Sequence, residues 1–287
     1  MDQAEKLRQI IAAQQNKNEK STEARIIAVT SGKGGVGKTN FTINIALALR
    51  ALGKRVTIID ADLGLANVDV LLGVLSKYSF LDVLSGKVEA KDLVEEGPDG
   101  LKIVSGGSGL TDLVNIDDVE LERLIYALSY FNSISDFILI DTGAGISKSV
   151  LSFVEAASEI IVILNPDPTS ITDAYALIKN ISNIEEKEVR LVINRVESAL
   201  EGREAFSKIS NTVERFLNIK IENLGYIFED YNLGKAVKQQ MPVLKAYPRS
   251  LSSKAIEEIA RNLVNGKQTE QENRKGLFGF LKRLAKI

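Results

Sequence analysis

Two lysines lie in one glycine-rich segment, TSGKGGVGKTN, and they are the clearest indication of chemistry in the sequence. Gly32, Gly37, Lys38 and Thr39 satisfy the spacing G-x-x-x-x-G-K-[ST], in which glycines let backbone N–H groups close around phosphate oxygens. The segment follows an apolar stretch and opens a helical one, so the helix N-terminus adds its positive dipole. In this interpretation Lys38 reaches the β- and γ-phosphates of a nucleotide and the Thr39 hydroxyl binds Mg²⁺. A simple glycine-rich turn is the alternative.

The other lysine, Lys33, lies at the tip of the loop. From there it cannot easily fold back onto the same phosphates beside Lys38. Its position fits either a solvated surface lysine or a lysine that contacts a second molecule, and the spacing alone does not decide between the two.

Carboxylates supply the rest of the predicted chemistry, because the chain has no His and no Cys. Two apolar segments, VTIID and FILID, end in Asp60 and Asp141, and Asp62 follows the first of them. The carboxyl ends of parallel strands face the same crevice as a phosphate loop, so these side chains are expected there. Mg²⁺ takes one or two carboxylates and keeps several waters, which fits such a set. Each aspartate taken alone also fits a turn or a helix cap.

Alternating strands and helices must position these residues. The segments predicted as strands are Ile26–Thr30, Val56–Asp60, Leu101–Ser105, Phe137–Asp141, Ile160–Asn165, Val189–Asn194 and Leu224–Phe228. The segments predicted as helices are Thr39–Leu52, Leu121–Phe131, Ile171–Ile181, Glu204–Leu217 and a closing helix at Arg249–Val264. Continuous apolar strands alternating with helices predict an α/β fold, a mostly parallel twisted sheet with helices on both faces.

Composition predicts a globular protein with a sizeable core, since hydrophobic residues make up 45% of the 287 residues and charged residues 26%. The lack of Cys excludes disulfides and thiolate metal sites. No apolar run approaches the ~18 residues of a membrane span and the polar N-terminus has no signal-peptide core, so we expect a cytoplasmic protein. The net charge is −2 although the last residues are strongly basic, which argues against a nucleic-acid-binding body.

The C-terminal residues 276–287 are predicted to form a basic amphipathic helix after a polar linker. Its apolar stripe and basic residues are expected to bind an anionic membrane surface reversibly, at the inner face of the cell membrane. The residues concerned are Leu277, Phe278, Phe280, Leu281, Lys282, Arg283 and Leu284. The alternative is a helix docked on the protein's own core.

The N-terminal residues 1–13 also read as a short helix, followed by a polar tether. The stripe of Ala4, Leu7 and Ile11 is too narrow to fold alone, so this segment is either a frayed tail or a helix that orders on a partner. The sequence thus divides into three predicted regions: an N-terminal helix and tether at 1–23, a nucleotide-binding domain at 24–264, and a linker with the amphipathic helix at 265–287.

The loop sequence KGGVGKT resembles the deviant phosphate loop of the MinD/ParA family of ATPases, which belong to the SIMIBI class of P-loop NTPases. The resemblance implies a Mg²⁺-dependent ATP hydrolase in which Lys33, Lys38 and Asp62 are catalytic. Lys33 reaches across a dimer interface, so that two ATP molecules are sandwiched between two subunits. The residues implied at Mg²⁺ are Thr39, Asp60 and Asp141. Those implied around the phosphates are Gly34, Gly35, Val36, Gly37, Lys38, Thr39 and Asn40.

Base recognition rests on a softer pattern, NRVE at residues 194–197. It is a near miss for the guanine-reading pattern N-K-x-D, because the extra methylene of Glu197 spoils a bidentate fit. In the MinD group the Asn of such an Asn-Arg pair contacts adenine, so the resemblance implies ATP. The base-side residues that it implies are Asn194, Arg195, Phe228 and Glu229.

The N-terminus resembles the activating segment of the FlhG type, the flagellar-number branch of this family. The residues that match are Asp2, Gln3, Ala4, Leu7 and Arg8. The resemblance implies that Gln3 enters the catalytic site of FlhF, a signal-recognition-particle-type GTPase, and stimulates hydrolysis. It further implies regulation of flagellar placement and number, with an ATP-dependent homodimer, a membrane surface and flagellar switch-complex proteins as partners.

Other functions fit parts of the sequence. A ParA-type partition ATPase binds DNA through basic surface residues. The body of this chain is acidic, which argues against that function, so no nucleic acid is expected as a partner. A nitrogenase-type electron carrier needs cluster-binding Cys, of which there are none. Two further alternatives are a nucleotide-dependent ligase and a binding scaffold whose ATP hydrolysis is incidental. An assay of ATP turnover distinguishes both from the preferred function.

Overall fold

Strands and helices alternate along the chain, as the apolar pattern predicts. The computed structural model describes residues 23–62, 67–106, 118–181, 184, 187–265 and 280. Its strands are β1 (Arg25–Ser31), β2 (Val56–Ala61), β3 (Glu95–Glu96), β4 (Lys102–Ser105), β5 (Phe137–Ala144), β6 (Glu159–Leu164), β7 (Glu188–Val196) and β8 (Glu222–Phe228). Its α-helices are α1 (Lys38–Ala51), α2 (Asn67–Leu72), α3 (Phe80–Leu84), α4 (Asp118–Ser133), α5 (Lys148–Ala156), α6 (Pro168–Lys179), α7 (Ala199–Leu217), α8 (Tyr231–Lys238), α9 (Val243–Ala246) and α10 (Leu251–Asn265).

The strands form one sheet in the order β3-β4-β2-β5-β1-β6-β7-β8. Neighbouring strands are parallel except for β3 and β4, which are antiparallel. The register aligns Val29 of β1 with Asp141 of β5, and Asp141 with Asp60 of β2. The carboxyl ends of these three strands therefore meet at one edge of the sheet, where open α/β folds bind their ligands.

The sheet is covered on both faces. Ile27 and Val29 of β1 belong to a core that contains residues of α1 and α10. The intervening Ile26 and Ala28 belong to the cores on the opposite face, which include residues of α3 to α7. Burial on both faces explains why the sequences of the central strands are continuously apolar and do not alternate between apolar and polar residues.

The predicted fold class is confirmed, and each of the seven predicted strands is present. The structure adds β3, an antiparallel edge strand of two residues that is too short to give a pattern. Helix α6 begins at Pro168 rather than at the predicted Ile171, because Asp167 caps it and proline is favoured in the first turn. Among the described helices, none is both long and apolar enough to cross a membrane.

Candidate active site

The phosphate loop connects the buried end of β1 to α1. Gly35 and Gly37 have positive φ angles of 76° and 96°, a conformation that residues with a Cβ rarely adopt. Gly32 is required for a different reason, since a Cβ at this position would lie 2.2 Å from the backbone of Asp173 in α6. The loop is therefore packed on α6 and leads into the N-terminus of α1, which favours anions.

Two residues of this loop contact Asp141 at the carboxyl end of β5. Lys38 Nζ lies 3.2 Å from Asp141 Oδ1, and the Thr39 hydroxyl donates to Asp141 Oδ2 at 2.7 Å. Thr42, which the sequence interpretation did not identify, donates to Oδ1 at 2.9 Å. Asp141 is fully buried, and this burial raises its pKa above the ordinary value while the charge of Lys38 opposes the shift.

Asp60 lies at the end of β2, level with Asp141. Its two carboxylate oxygens accept the backbone N–H groups of Asp62 and Val68, at 3.0 Å and 3.2 Å. Burial raises the pKa of Asp60 to about 7; the N–H of Asp62 lowers it and the charge of Asp141 raises it further. Asp60 therefore holds the segment that follows β2, at the same edge of the sheet as Asp141.

Asp62 approaches the segment that begins with Asp141. A Cβ at Gly143 would lie 3.6 Å from Asp62 Oδ1. The same segment is joined to the phosphate loop, because the Gly145 N–H donates to the Ser31 carbonyl at 2.8 Å. Asp62, Asp141 and the loop thus share one edge of the sheet, and residues 63–66 lie outside the described part of the chain.

The oxygen donors at this edge fit Mg²⁺. The Thr39 hydroxyl contacts the Asp141 carboxylate, and Asp60 lies on the neighbouring strand at the same level. Mg²⁺ uses one or two carboxylates and completes its octahedron with water and phosphate oxygens. Within the residues that the structure describes, no three His, Cys, Asp or Glu side chains form a metal cluster.

Lys33 points away from these carboxylates. Its Nζ lies 2.7 Å from Thr169 Oγ1 and 3.5 Å from Asp167 Oδ1, at the start of α6. The Lys33 side chain is 44% exposed, whereas that of Lys38 is 7% exposed. The two lysines therefore lie in different environments, one on the surface and one in the crevice.

The predicted base-side residues lie at the ends of β7 and β8. The backbone N–H of Glu229 donates to the end of β7 at 2.9 Å, so the segments of Asn194 and Phe228 lie side by side. Asn194 is buried, and its Nδ2 donates to the Val36 carbonyl of the phosphate loop at 2.7 Å. Arg195 is exposed, with a φ of 58° at an irregularity in the β7–β8 pairing. The structure thus brings Asn194 to the loop, and it places Phe228 and Glu229 beside the end of β7.

Phe280, predicted to face lipid, is buried. It is 3% exposed and forms one side of an apolar groove, which agrees with the docked alternative rather than with an exposed stripe. The groove is lined by Ile59, Phe80, Leu124, Leu128, Ile140 and Phe153. Removing the aromatic ring from water is favourable wherever an apolar groove is available. The Phe280 ring therefore packs against the protein's own groove in the monomer.

The remaining appendage residues lie outside the described part of the chain. At the C-terminal end these are Leu277, Phe278, Leu281, Lys282, Arg283 and Leu284. At the N-terminal end they are Asp2, Gln3, Ala4, Leu7 and Arg8. Their predicted contacts with membrane and partner stay predictions.

Comparisons with known proteins agree with this geometry. A family model named ParA, described as NUBPL iron-transfer P-loop NTPase, matches residues 22–264. The antiactivator FleN of Pseudomonas aeruginosa is 44% identical over 240 residues, which cover 83% of this chain and 86% of FleN. The flagellum site-determining protein YlxH of Helicobacter pylori is 35% identical over 266 residues, covering 91% of this chain and 90% of YlxH.

Solved structures of MinD share the fold. The MinD cell division protein of Aquifex aeolicus matches with a TM-score of 0.69 and 29% identity, over 86% of this chain and 99% of that one. MinD of Pyrococcus horikoshii, complexed with Mg-ADP, matches with a TM-score of 0.68 and 25% identity, over 84% and 96%. The chain belongs to the MinD/ParA family of P-loop ATPases, within the branch that contains FleN and YlxH.

Proposed function

We propose that this ATPase forms an ATP-dependent homodimer at the membrane and regulates the placement and number of flagella. The observation that carries the proposal is the separation of its two loop lysines. Lys38 contacts Asp141 in the crevice, whereas Lys33 lies half exposed at the surface of the same loop. A surface lysine at this position is available to the nucleotide of a second subunit, as an arginine finger is.

Hydrolysis in this proposal uses lysines, carboxylates and a hydroxyl, since the chain has no His. Lys38 turns from Asp141 to the β- and γ-phosphates, which leaves Asp141 and the Thr39 hydroxyl to hold Mg²⁺ and its waters. Bound Mg²⁺ supplies neutralisation of the phosphate charge. Asp62 orients the attacking water, and Lys33 of the second subunit stabilises the charge that develops in the transition state.

Membrane binding in this proposal requires Phe280 to leave its groove. Ile59 and Ile140 line the groove and directly precede Asp60 and Asp141 in the sequence. A movement of these aspartates on nucleotide binding would therefore change the shape of the groove. A single amphipathic tail binds lipid weakly and reversibly. Two tails on one dimer raise the avidity by roughly 10²–10⁴, which links lipid binding to ATP.

The flagellar role is supported by the relatives and by the N-terminal pattern. YlxH is described as a flagellum site-determining protein, and it matches over nearly its whole length. The N-terminal residues 2–8 resemble the segment that stimulates the FlhF-type GTPase. We therefore include stimulation of such a GTPase, with Gln3 as the active side chain, in the proposed function.

The experiment that tests this function is size-exclusion chromatography of the wild type and Asp62→Ala with ATP, with and without anionic liposomes. We expect ATP to shift Asp62→Ala to a stable dimer that co-elutes with liposomes, and ADP to leave it monomeric and free. A monomer at saturating ATP would contradict the proposal. The same samples mixed with duplex DNA test the rival partition function, for which an ATP-dependent DNA shift is the signature.

A further inference from the structure

Thr42 lies in α1, one helical turn after Lys38, and its side chain is fully buried. The Thr42 hydroxyl oxygen lies 2.9 Å from Asp141 Oδ1 and 3.1 Å from the Lys38 carbonyl oxygen. A hydroxyl has a single proton to donate, and a carboxylate accepts it more strongly than a backbone carbonyl does. The Thr42 hydroxyl is therefore directed at Asp141.

Three side chains share the Asp141 carboxylate. Lys38 and Thr42 both contact Oδ1, whereas the Thr39 hydroxyl donates to Oδ2. Two of the three have a further task in the proposed hydrolysis, since Lys38 turns to the phosphates and the Thr39 hydroxyl binds Mg²⁺. Of the described side chains that contact Asp141, Thr42 is thus the one that is free to stay with the carboxylate when the nucleotide binds.

Both ends of this contact lie on fixed elements. The neighbours of Thr42 in α1, Phe41 and Ile43, are buried in the core beside the sheet. Asp141 lies in the middle of the sheet, in register with Val29 of β1 on one side and with Asp60 of β2 on the other. The β-branched side chain of threonine has few rotamers in a helix. The hydroxyl therefore holds the carboxylate in one orientation, with Oδ2 left for the metal side.

We propose that Thr42 is a positioning residue of the Mg²⁺ site, which holds the Asp141 carboxylate in place when Lys38 turns to the phosphates. This inference rests on the proposed function, because it assumes that Asp141 and Thr39 hold Mg²⁺ and its waters. A buried carboxylate oxygen that lost Lys38 and had no other donor would be strongly destabilised. Thr42 supplies that donor, so Lys38 can leave Asp141 while the carboxylate keeps its orientation.

The size of the effect follows from the way in which Asp141 acts on the metal. Removing a residue that orients a metal's ligand typically lowers the metal affinity by roughly 10- to 100-fold. Asp141 is proposed to act partly through the waters of Mg²⁺, so we expect the low end of this range, a loss of roughly tenfold, when the Thr42 hydroxyl is removed. ATP hydrolysis should fall at low Mg²⁺ and recover at high Mg²⁺, because the other oxygen donors are unchanged.

The test uses Thr42→Val, Thr42→Ala and Thr42→Ser in the full-length chain. Valine keeps the branched shape of threonine without the hydroxyl, alanine removes the hydroxyl without placing a methyl group against the carboxylate, and serine keeps the hydroxyl. Thr57→Val is the matched control, because Thr57 is also fully buried and its hydroxyl lies 2.6 Å from the Ser135 hydroxyl, near the amino end of β2. Thermal unfolding of each variant checks that the fold is intact.

The affinity for ADP, measured by calorimetry at a series of fixed Mg²⁺ concentrations, reports metal binding without hydrolysis and without a second subunit. We expect the Mg²⁺ concentration that gives half of the gain in ADP affinity to rise roughly tenfold in Thr42→Val and Thr42→Ala. Thr42→Ser and Thr57→Val should stay near the wild-type value. A wild-type Mg²⁺ dependence in Thr42→Val and Thr42→Ala would overturn the inference, as would a Thr42→Ser variant that is impaired as strongly as Thr42→Val.

Asp141→Asn, measured alongside, separates this result from the proposed function. If Asp141→Asn kept the wild-type Mg²⁺ dependence, the metal role of Asp141 itself would be wrong. A weakened Mg²⁺ dependence in Asp141→Asn, together with wild-type behaviour of Thr42→Val and Thr42→Ala, would remove the role of Thr42 and leave the proposed function standing.

Discussion

Replacing Lys33 or Lys38 by alanine should impair different steps, ATP hydrolysis in the first case and ATP binding in the second. Lys38 lies in the crevice beside Asp141, so Lys38→Ala should lose most of its ATP affinity. Lys33 lies at the surface, so Lys33→Ala should bind ATP with wild-type affinity and lose hydrolysis by roughly 10³-fold or more, the scale of a missing arginine finger. Equilibrium binding and single-turnover kinetics separate the two effects. Wild-type turnover by Lys33→Ala would refute a catalytic role for this lysine.

Asp60 should make stability depend on pH. Burial raises the pKa of Asp60 from 3.8 to about 7, so the folded chain keeps a proton that the unfolded chain has already lost. Stability should therefore fall as pH rises from about 4 to about 7, and then level off. Asp60→Asn cannot ionise and its amide accepts only one of the two backbone N–H groups, so the test is the change with pH: relative to the wild type, the variant should gain roughly 1–3 kcal/mol of stability between pH 4 and pH 8.

Thermal unfolding across this pH range measures the difference, in EDTA and without nucleotide so that no cation binds. Asp136→Asn is a suitable control, because burial is outweighed by the hydrogen bonds and charge of Arg55, which hold the pKa of Asp136 below its ordinary value; its replacement should destabilise the protein by a nearly constant amount across this pH range. Parallel curves for the wild type and Asp60→Asn would contradict the assigned shift.

At the scale of elements, the sequence predicts the strands, helices and loops whose residues form a recognisable pattern over a short stretch of chain. The phosphate loop could be predicted because its glycines and lysines have a fixed spacing. Strands β2 and β5 could be predicted because their apolar runs end in Asp60 and Asp141. The first turn of α6 was missed, although Asp167-Pro168 is a helix-start signal, because the apolar period begins only later. The contacts of Thr42 with Asp141 and of Thr169 with Lys33 could not be predicted, because they join residues that are 99 and 136 positions apart in the sequence.

Phe280 illustrates the limit of pattern reading for an appendage. Its helical spacing fits lipid and a protein groove equally well, because both remove an apolar stripe from water. Only the assembled groove between Phe80, Leu124 and Phe153 favours the docked position in the single chain. The choice therefore depends on tertiary structure, which the spacing of the residues does not contain.

The docking of Phe280 should be visible as protection of an engineered thiol. The chain has no Cys, so Leu128→Cys, in the wall of the groove, carries the only reactive thiol and leaves the Phe280 ring in place. We expect maleimide labelling at least tenfold slower without nucleotide than with ATP and an Asp62→Ala background, since the dimer releases the tail. Phe216→Cys, at an exposed position of α7, is the control and should react equally fast in both states. Equal rates for Leu128→Cys in both states would show that the position of the tail does not depend on ATP.

At the scale of the whole molecule, we expect the ends of the chain to bind other components. A peptide of residues 1–20 should bind the partner GTPase and accelerate GTP hydrolysis, because a glutamine can orient an attacking water without titrating. The Gln3→Ala peptide should bind with similar affinity and fail to stimulate. A phosphate-release assay with both peptides measures this, and equal stimulation by the two would refute the role of Gln3.

The account's central claim is that each nucleotide site is completed by the Lys33 of a second subunit. Lys33→Ala keeps its own Asp62, and Asp62→Ala keeps its own Lys33, so each variant alone should be inactive. A mixed dimer places the Lys33 of one subunit over the intact Asp62 site of the other, which restores one complete site per dimer.

Steady-state ATP hydrolysis of the two variants, alone and mixed at equal concentration, is the most direct test. We expect each variant alone to show background turnover and the mixture to regain activity, up to about a quarter of the wild-type rate per chain, since half of the random dimers are mixed and each holds one complete site. A mixture that forms dimers and stays at background would contradict the claim, as would full activity of Lys33→Ala alone.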